Sequence, residues 1–303
     1  MIVRPRLHWL RMLFVWRGSV LPDIAPQLLF TTAFALVVTL LHGQVFQSKV
    51  PLTFVPFSLM GLTLAVFLGF RNNTSYARYW EARSLWGVLL NESRSFVRQA
   101  LTLVDDPAQA TVPTRRLMAF THALRHQLRG TDPGPDLERL LSPADGERLA
   151  GARYKPAVLL LMVGEWLRDV RRQSALQPVL APAMEAPLGR LTEVLGGCER
   201  IASTPIPFTY GVIIHRTIYL YCWLMPFGLV DSTGPMTPVV VAFVAYTFFA
   251  LEALSAQIEE PFGTEPNDLA LDALSWMIER TLRETLGEQD LPAMPEPVGC
   301  ILT

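Results

Sequence analysis

The chain has 303 residues, half of them hydrophobic and only 17% charged, with a mean hydropathy of +0.29. A soluble domain carries about a quarter charged residues, so the composition argues against a soluble enzyme, while 26 basic and 27 acidic residues are too many for a chain immersed wholly in lipid. A net charge of −1 supplies no basic field for nucleic acid, and Cys198, Cys222 and Cys300 are too far apart for a disulfide framework or a CxxC metal motif.

At the start, Arg4, Arg6 and Arg11 resemble the basic head of a signal peptide. The apolar run Met12–Trp16 then breaks at Arg17-Gly18 with no small-residue cleavage site after it, so the segment is expected to stay in the mature protein. Four apolar stretches follow, at Leu28–Leu41, Pro51–Phe70, Phe208–Val230 and Pro238–Leu251. With polar-tolerant ends they predict spans over about 25–43, 51–70, 208–230 and 237–254. The second has no charge in 20 residues, about 30 Å of helix and enough to cross a bilayer core.

Basic residues alternate between the connections. Four Arg precede the first span, only Lys49 lies between the first and second, and none lies between the third and fourth. Residues 71–207 hold 17 Arg and Lys155, and the tail 255–303 holds Arg280 and Arg283. The positive-inside rule then places both termini and the segment 71–207 in the cytoplasm. That segment reads as helical over Thr74–Leu103, Arg116–Arg129, Tyr154–Ser174 and Leu188–Ala202, with turns at Thr131–Pro135 and Ser142–Gly146. The fold class expected is an all-α membrane protein, four transmembrane helices plus a cytosolic helical segment. The tail beyond Gly287, with Pro292, Pro295 and Pro297, is expected to be disordered.

No GxSxG, P-loop, GxGxxG or HExxH is present. His122 and His126 stand i, i+4 on a helical pattern, a spacing able to clamp a metal, although two hydrogen-bonded histidines on an Arg-rich helix is the plainer reading. Glu259-Glu260 offers paired carboxylates for acid–base work, but such a pair at the end of a span more often caps or ion-pairs. In the second span Leu62, Val66 and Phe70 recur at i, i+4 and i+8 and share one face. Such a stripe usually packs on a neighbouring helix. Here it opens abruptly onto Arg71-Asn72-Asn73, as a hydrophobic constriction opens onto a polar vestibule in a symmetric oligomer. Arg216, two turns into the third span, serves either as a vestibule charge or at the headgroup level.

Phe70–Asn73, Arg78–Arg83 (RYWEAR), Trp86-Gly87, Gly196–Ile201 (GGCERI), Thr204–Phe208 (TPIPF) and Glu260–Gly263 (EPFG) together resemble the bestrophin family in its bacterial branch, over about Arg11 to Arg283. The resemblance implies one bestrophin-like unit over 1–303, assembling as a homopentameric ion channel of the bacterial inner membrane. Its partners would be copies of itself, the bilayer and permeant ions, with no cofactor. It places a three-ring apolar neck on Leu62, Val66 and Phe70, a vestibule at Arg71 and Asn72, and a second, cytosolic constriction near Val179 or Leu180. It favours anions such as chloride, with a Na+ channel of the same fold as the alternative. Outside the channel reading stand a non-conducting scaffold and a membrane enzyme using His122, His126 and Glu259. Animal members hold a gating calcium with a dense acidic cluster after Pro-Phe-Gly, where this chain has only Glu265 and Asp268, too few for an ion that takes six to eight oxygens. A calcium titration of channel current is therefore expected to show no micromolar midpoint.

Overall fold

The computed structural model describes residues 1–5, 7–45, 48–49 and 52–303; Arg6, in the basic N-terminal run, and Pro51, the first residue of the second apolar stretch, lie outside them. After the short helix α1 (Trp9–Met12) come α2 (Leu21–Leu40), a two-residue antiparallel pair, β1 (Gln44–Val45) with β2 (Ser48–Lys49), and the 50-residue helix α3 (Phe54–Leu103). The helices α4 (Thr111–Arg129), α5 (Gly134–Leu140), α6 (Pro143–Ala150), α7 (Lys155–Arg172) and α8 (Ala181–Ser203) follow. Then come α9 (Phe208–Thr233), α10 (Thr237–Glu259) and α11 (Leu271–Thr285). Stretches long and apolar enough to cross a membrane fall at Leu21–Leu40, within Val55–Leu103, and over Phe208–Glu259. The last is divided into α9 and α10 by a 3-10 turn at Gly234–Met236.

The chain forms two compact units. One comprises Ile2–Arg78 and Pro205–Glu260 and contains α2, the first half of α3, α9 and α10. Its core is built from Ile24, Ala35, Phe57, Leu64, Leu68, Ile218, Tyr221, Met225, Val241, Ala245 and Phe249. Small residues set its helix spacing, as expected where packing rather than hydrophobicity holds helices together. A Cβ on Gly228 would lie 2.5 Å from the Phe57 ring, and one on Gly61 would lie 2.8 Å from the Tyr221 hydroxyl. Its outward surface is apolar too: Leu29, Phe30 and Leu40 on α2, and Val239 and Phe243 on α10, are exposed. Side chains of that kind on the outside of a helix bundle suit lipid rather than water.

The other unit comprises Met1, Tyr79–Thr204 and Pro261–Thr303. Its centre is α4, which buries Leu117, Met118, Phe120 and Leu124 completely among the second half of α3, α7, α8 and α11.

Three expectations change. Ser142–Gly146 is a helix start rather than a turn. The Ser142 hydroxyl accepts from the Asp145 N–H at 3.2 Å and Pro143 takes the first helical position, so the residues that signal a turn here cap α6. In the same way Pro135 opens α5 and shortens the predicted turn at Thr131–Pro135. The tail beyond Gly287 is irregular but held. Glu288 pairs with Arg115 and Arg283, the Arg280 guanidinium reaches the Pro292 carbonyl, and the Ala273 N–H donates to the Thr303 carbonyl at 2.9 Å. The Met1 ammonium donates to the Leu302 carbonyl at 2.6 Å.

The Phe57–Gly228 contact leaves no room for a methyl group. Gly228→Ala is expected to destabilise the apolar unit by roughly 1–3 kcal/mol through overpacking, seen as a lower melting temperature in detergent, with Phe57→Leu in the same chain recovering part of the loss.

Candidate functional site

Helix α3 presents two opposite faces in its apolar half. Phe57, Leu64, Leu68, Arg71 and Ser75 are buried; at about 100° per residue they cluster within roughly 60° of one another. Val55, Leu59, Leu62, Val66 and Phe70 lie about 180° away and are exposed, Leu62 at 66%, Val66 at 49% and Phe70 at 61%. The stripe read from spacing is thus an exposed face among the described residues.

Polar contacts lock the rotation that leaves it bare. Arg71 is buried, and its Nη2 lies 3.4 Å from Glu259 Oε2 at the end of α10. The Ser75 and Ser255 hydroxyls are hydrogen-bonded at 3.0 Å in a fully buried pair, and Arg78 Nε donates to the Glu259 carbonyl at 3.1 Å. Arg71 therefore has a counter-charge within its own chain, which offsets its pull on an anion near the stripe. Asn72, its neighbour, is half-buried with an unpartnered side-chain oxygen. The helix passes Phe70 without interruption; the abrupt change at Arg71 is one of side chains only.

Of the two residues expected near a second constriction, one is exposed and the other is not. Val179 and Leu180 share a 3-10 turn, Pro178–Leu180; Val179 is 77% exposed, whereas Leu180 packs on the core.

His122 and His126 are committed to carboxylates. His122 is buried, with Nε2 2.8 Å from Glu279 Oε2 and Nδ1 3.4 Å from Asp136 Oδ2. His126 Nε2 lies 3.1 Å from the same Asp136 oxygen. Arg139 bridges Asp136 and Glu279, with its guanidinium 4.7 Å above the Trp276 ring, and Arg125 and Arg129 share Asp272. Burial alone would lower the His122 pKa, but Asp136 and Glu279 outweigh it and raise it. Burial would likewise raise the Glu279 carboxyl, yet His122 and Arg139 bring it down to about 2. Among the described residues no group of three His, Cys, Asp or Glu side chains is placed to hold a metal. The network ties α4, α5 and α11 together, and spacing had shown only two of its members.

Glu265 and Asp268 are joined within one turn. Asp268 turns inward, its Oδ2 accepting from the Glu265 N–H at 2.8 Å and its Oδ1 buried without a partner. Burial raises its pKa to about 6.

Comparison with known proteins places this geometry. The family model described as Bacterial/Fungal Bestrophin protein matches residues 1–284. A Ralstonia nicotianae protein named as voltage-dependent anion channel-forming is 54% identical over 96% of this chain and 96% of its own length. The Escherichia coli K12 protein YneE, named likewise, is 43% identical over 97% of this chain and 96% of its own. The crystal structure of a bacterial bestrophin homolog from Klebsiella pneumoniae is 39% identical, with a TM-score of 0.85 over 88% of this chain and 100% of that one.

The buried charges have a definite pH signature. His122 and Asp268 have raised pKa values, so their contributions to stability are complete below the ordinary values of 6.5 and 3.8 and are lost as pH rises through the folded ones. Glu279 and Asp136 are depressed, so theirs are complete above the ordinary 4.5 and 3.8 and are lost toward strong acid. Thermal melts across pH are expected to peak in mild acid and decline on both sides. Asp268→Asn, which keeps the oxygen that accepts from Glu265, is expected to flatten the decline toward neutrality and to gain up to roughly 3 kcal/mol at pH 7.5.

Proposed function

The chain belongs to the Bacterial/Fungal Bestrophin family, and on that ground we propose that it is the subunit of a passive ion channel of the bestrophin type. The observation that carries the reading is the bare face of α3. Leu62, Val66 and Phe70 are exposed apolar side chains on the helix face opposite the one buried by α9 and α10. In a ring of copies such faces turn toward one axis and form a constriction that gates by dewetting and size. One chain has too few spans to enclose a pore, so oligomerisation is part of the reading, and a homopentamer is the assembly proposed.

The unit extends over 1–303, with spans at about 25–43, 51–70, 208–230 and 237–254. The segment 71–207, the tail 255–303 and both termini face the cytoplasm of the bacterial inner membrane, in accord with the distribution of Arg. Asn72 continues the pore surface beyond the neck, Arg71 belongs to the wall that supports it, and Val179 is the residue offered at a cytosolic constriction. The names of the relatives favour anion conduction. An apolar ring does not itself select the sign of the ion, so a Na+ channel of the same architecture is the second reading. An enzyme is disfavoured because His122, His126 and Glu259 are all held in ion pairs.

Purified protein in planar bilayers under a KCl and then a NaCl gradient is expected to pass single-channel currents that reverse toward the chloride potential. Reversal toward the cation potential would select the second reading, and silence with verified insertion would favour a scaffold. Val66→Ala should widen the neck and raise conductance or open probability; unchanged currents in an intact mutant oligomer would remove Val66 from the pore.

A further inference from the structure

Beside the Arg71–Glu259 pair lies a cavity of about 650 Å3, formed between the start of α9 and the end of α10. Its volume falls in the range of small-ligand sites, and its lining has two characters. Ile206, Phe208 and Val212 supply apolar lining, and Phe208 is 85% exposed. Arg71, Arg216, Glu252, Glu259 and Glu260 supply charge. Gly211 sits at the floor, where its missing side chain leaves Arg71 Nη2 3.8 Å from the position of a Cβ.

The charges are incompletely satisfied. Arg71 is 8% exposed, its contact with Glu259 is long at 3.4 Å, and its Nε is buried with no partner. An unpaired buried guanidinium N–H is costly. Glu252 is engaged by His215 Nδ1 at 2.7 Å, while among the described residues no ion pair engages Arg216 or Glu260. The cavity thus offers a cationic pole and an anionic pole side by side, next to an exposed apolar slope.

We propose that this cavity binds the phosphoethanolamine headgroup of a membrane lipid. The phosphate meets Arg216, the primary ammonium meets Glu260 and Glu252, and the acyl chains run along Phe208 and Val212. A purely anionic headgroup such as phosphatidylglycerol leaves the carboxylates without a counter-charge. A choline headgroup donates no N–H bonds and needs an aromatic cage, whereas Phe208 is the one Phe, Tyr or Trp among the described lining residues. In the topology proposed above the two helix ends lie at headgroup level, yet the site stands on its own chemistry whether or not the protein conducts.

The test is native mass spectrometry of the intact assembly in detergent, titrated separately with phosphatidylethanolamine, phosphatidylglycerol and phosphatidylcholine. Phosphatidylethanolamine is expected to bind about tenfold more tightly than the other two. Arg216→Gln and Glu260→Gln, at exposed positions where the fold does not depend on the charge, should each reduce that affinity roughly tenfold, the scale of one charge-assisted hydrogen bond. Gly211→Leu, which fills the floor and leaves every charge in place, should do the same. Equal binding of the three lipids, a preference for phosphatidylglycerol, or a preference unchanged in all three variants would overturn the site. Displacement of the lipid by soluble phosphoethanolamine at equal concentration would overturn the lipid as its source. A variant that breaks the oligomer without altering lipid preference would instead give the cavity to a neighbouring copy. Bilayer currents from the same preparations keep failure here separate from failure of the channel reading.

Discussion

The rotation of α3 about its own axis is the constraint on which the remaining features depend. It is set on one side by apolar packing of Phe57, Leu64 and Leu68 and, where the apolar residues run out, by Arg71 against Glu259 and Ser75 against Ser255. In the apolar interior of such a bundle a polar pair has a preferred register that a Leu–Leu contact lacks. A turn of 100°, one residue of slip, would carry Arg71 and Ser75 away from their partners and bring Leu62 or Phe70, depending on its direction, toward the helices behind them. The same contacts that stabilise the helix pair therefore decide which side chains remain bare for use outside the subunit.

Small residues make that arrangement possible. Gly61 and Gly228 are the points where Tyr221 and Phe57 approach backbone, so two of the bulkiest core side chains fit between helices without pushing them apart. The resulting spacing admits Arg71 to the buried face, where Gly211 leaves space for its guanidinium. Burying that charge is tolerable because Glu259 accompanies it. The Arg71 Nε is left buried without a partner.

The parts of this structure that a sequence discloses are those written in local spacing. The stripe Leu62–Val66–Phe70 was legible because i, i+4, i+8 is a property of the helix alone, and the apolar spans were legible from length. Partners distant in the chain were not. His122 suggested a metal clamp because its neighbour in spacing is His126, while its actual partners, Asp136 and Glu279, come from α5 and α11. Arg71 looked like a surface charge because its carboxylate is 188 residues away. Ser142 and Pro143 signalled a turn, and the same two residue types cap and open a helix. The Pro-rich tail looked disordered because composition reports the absence of regular structure, whereas the contacts of Glu288, Leu302 and Thr303 that hold it carry no compositional signal.

Ion selectivity follows a similar logic of compensation. A charge at the end of an apolar neck biases permeation only if its field is not cancelled nearby. At Arg71 the Glu259 carboxylate lies 3.4 Å away, and at that distance the pair would act on an ion in the proposed pore as a dipole, whose potential falls off faster than that of a charge. In the channel proposed, a neck of Leu, Val and Phe would set size and wetting. Any preference for chloride over sodium would then come from groups beyond it, such as the amides of Asn72 and Asn73 just past Phe70. A neck of this composition would suit an ion of either sign, because the apolar rings and the charge selection would be carried by different residues and could change independently.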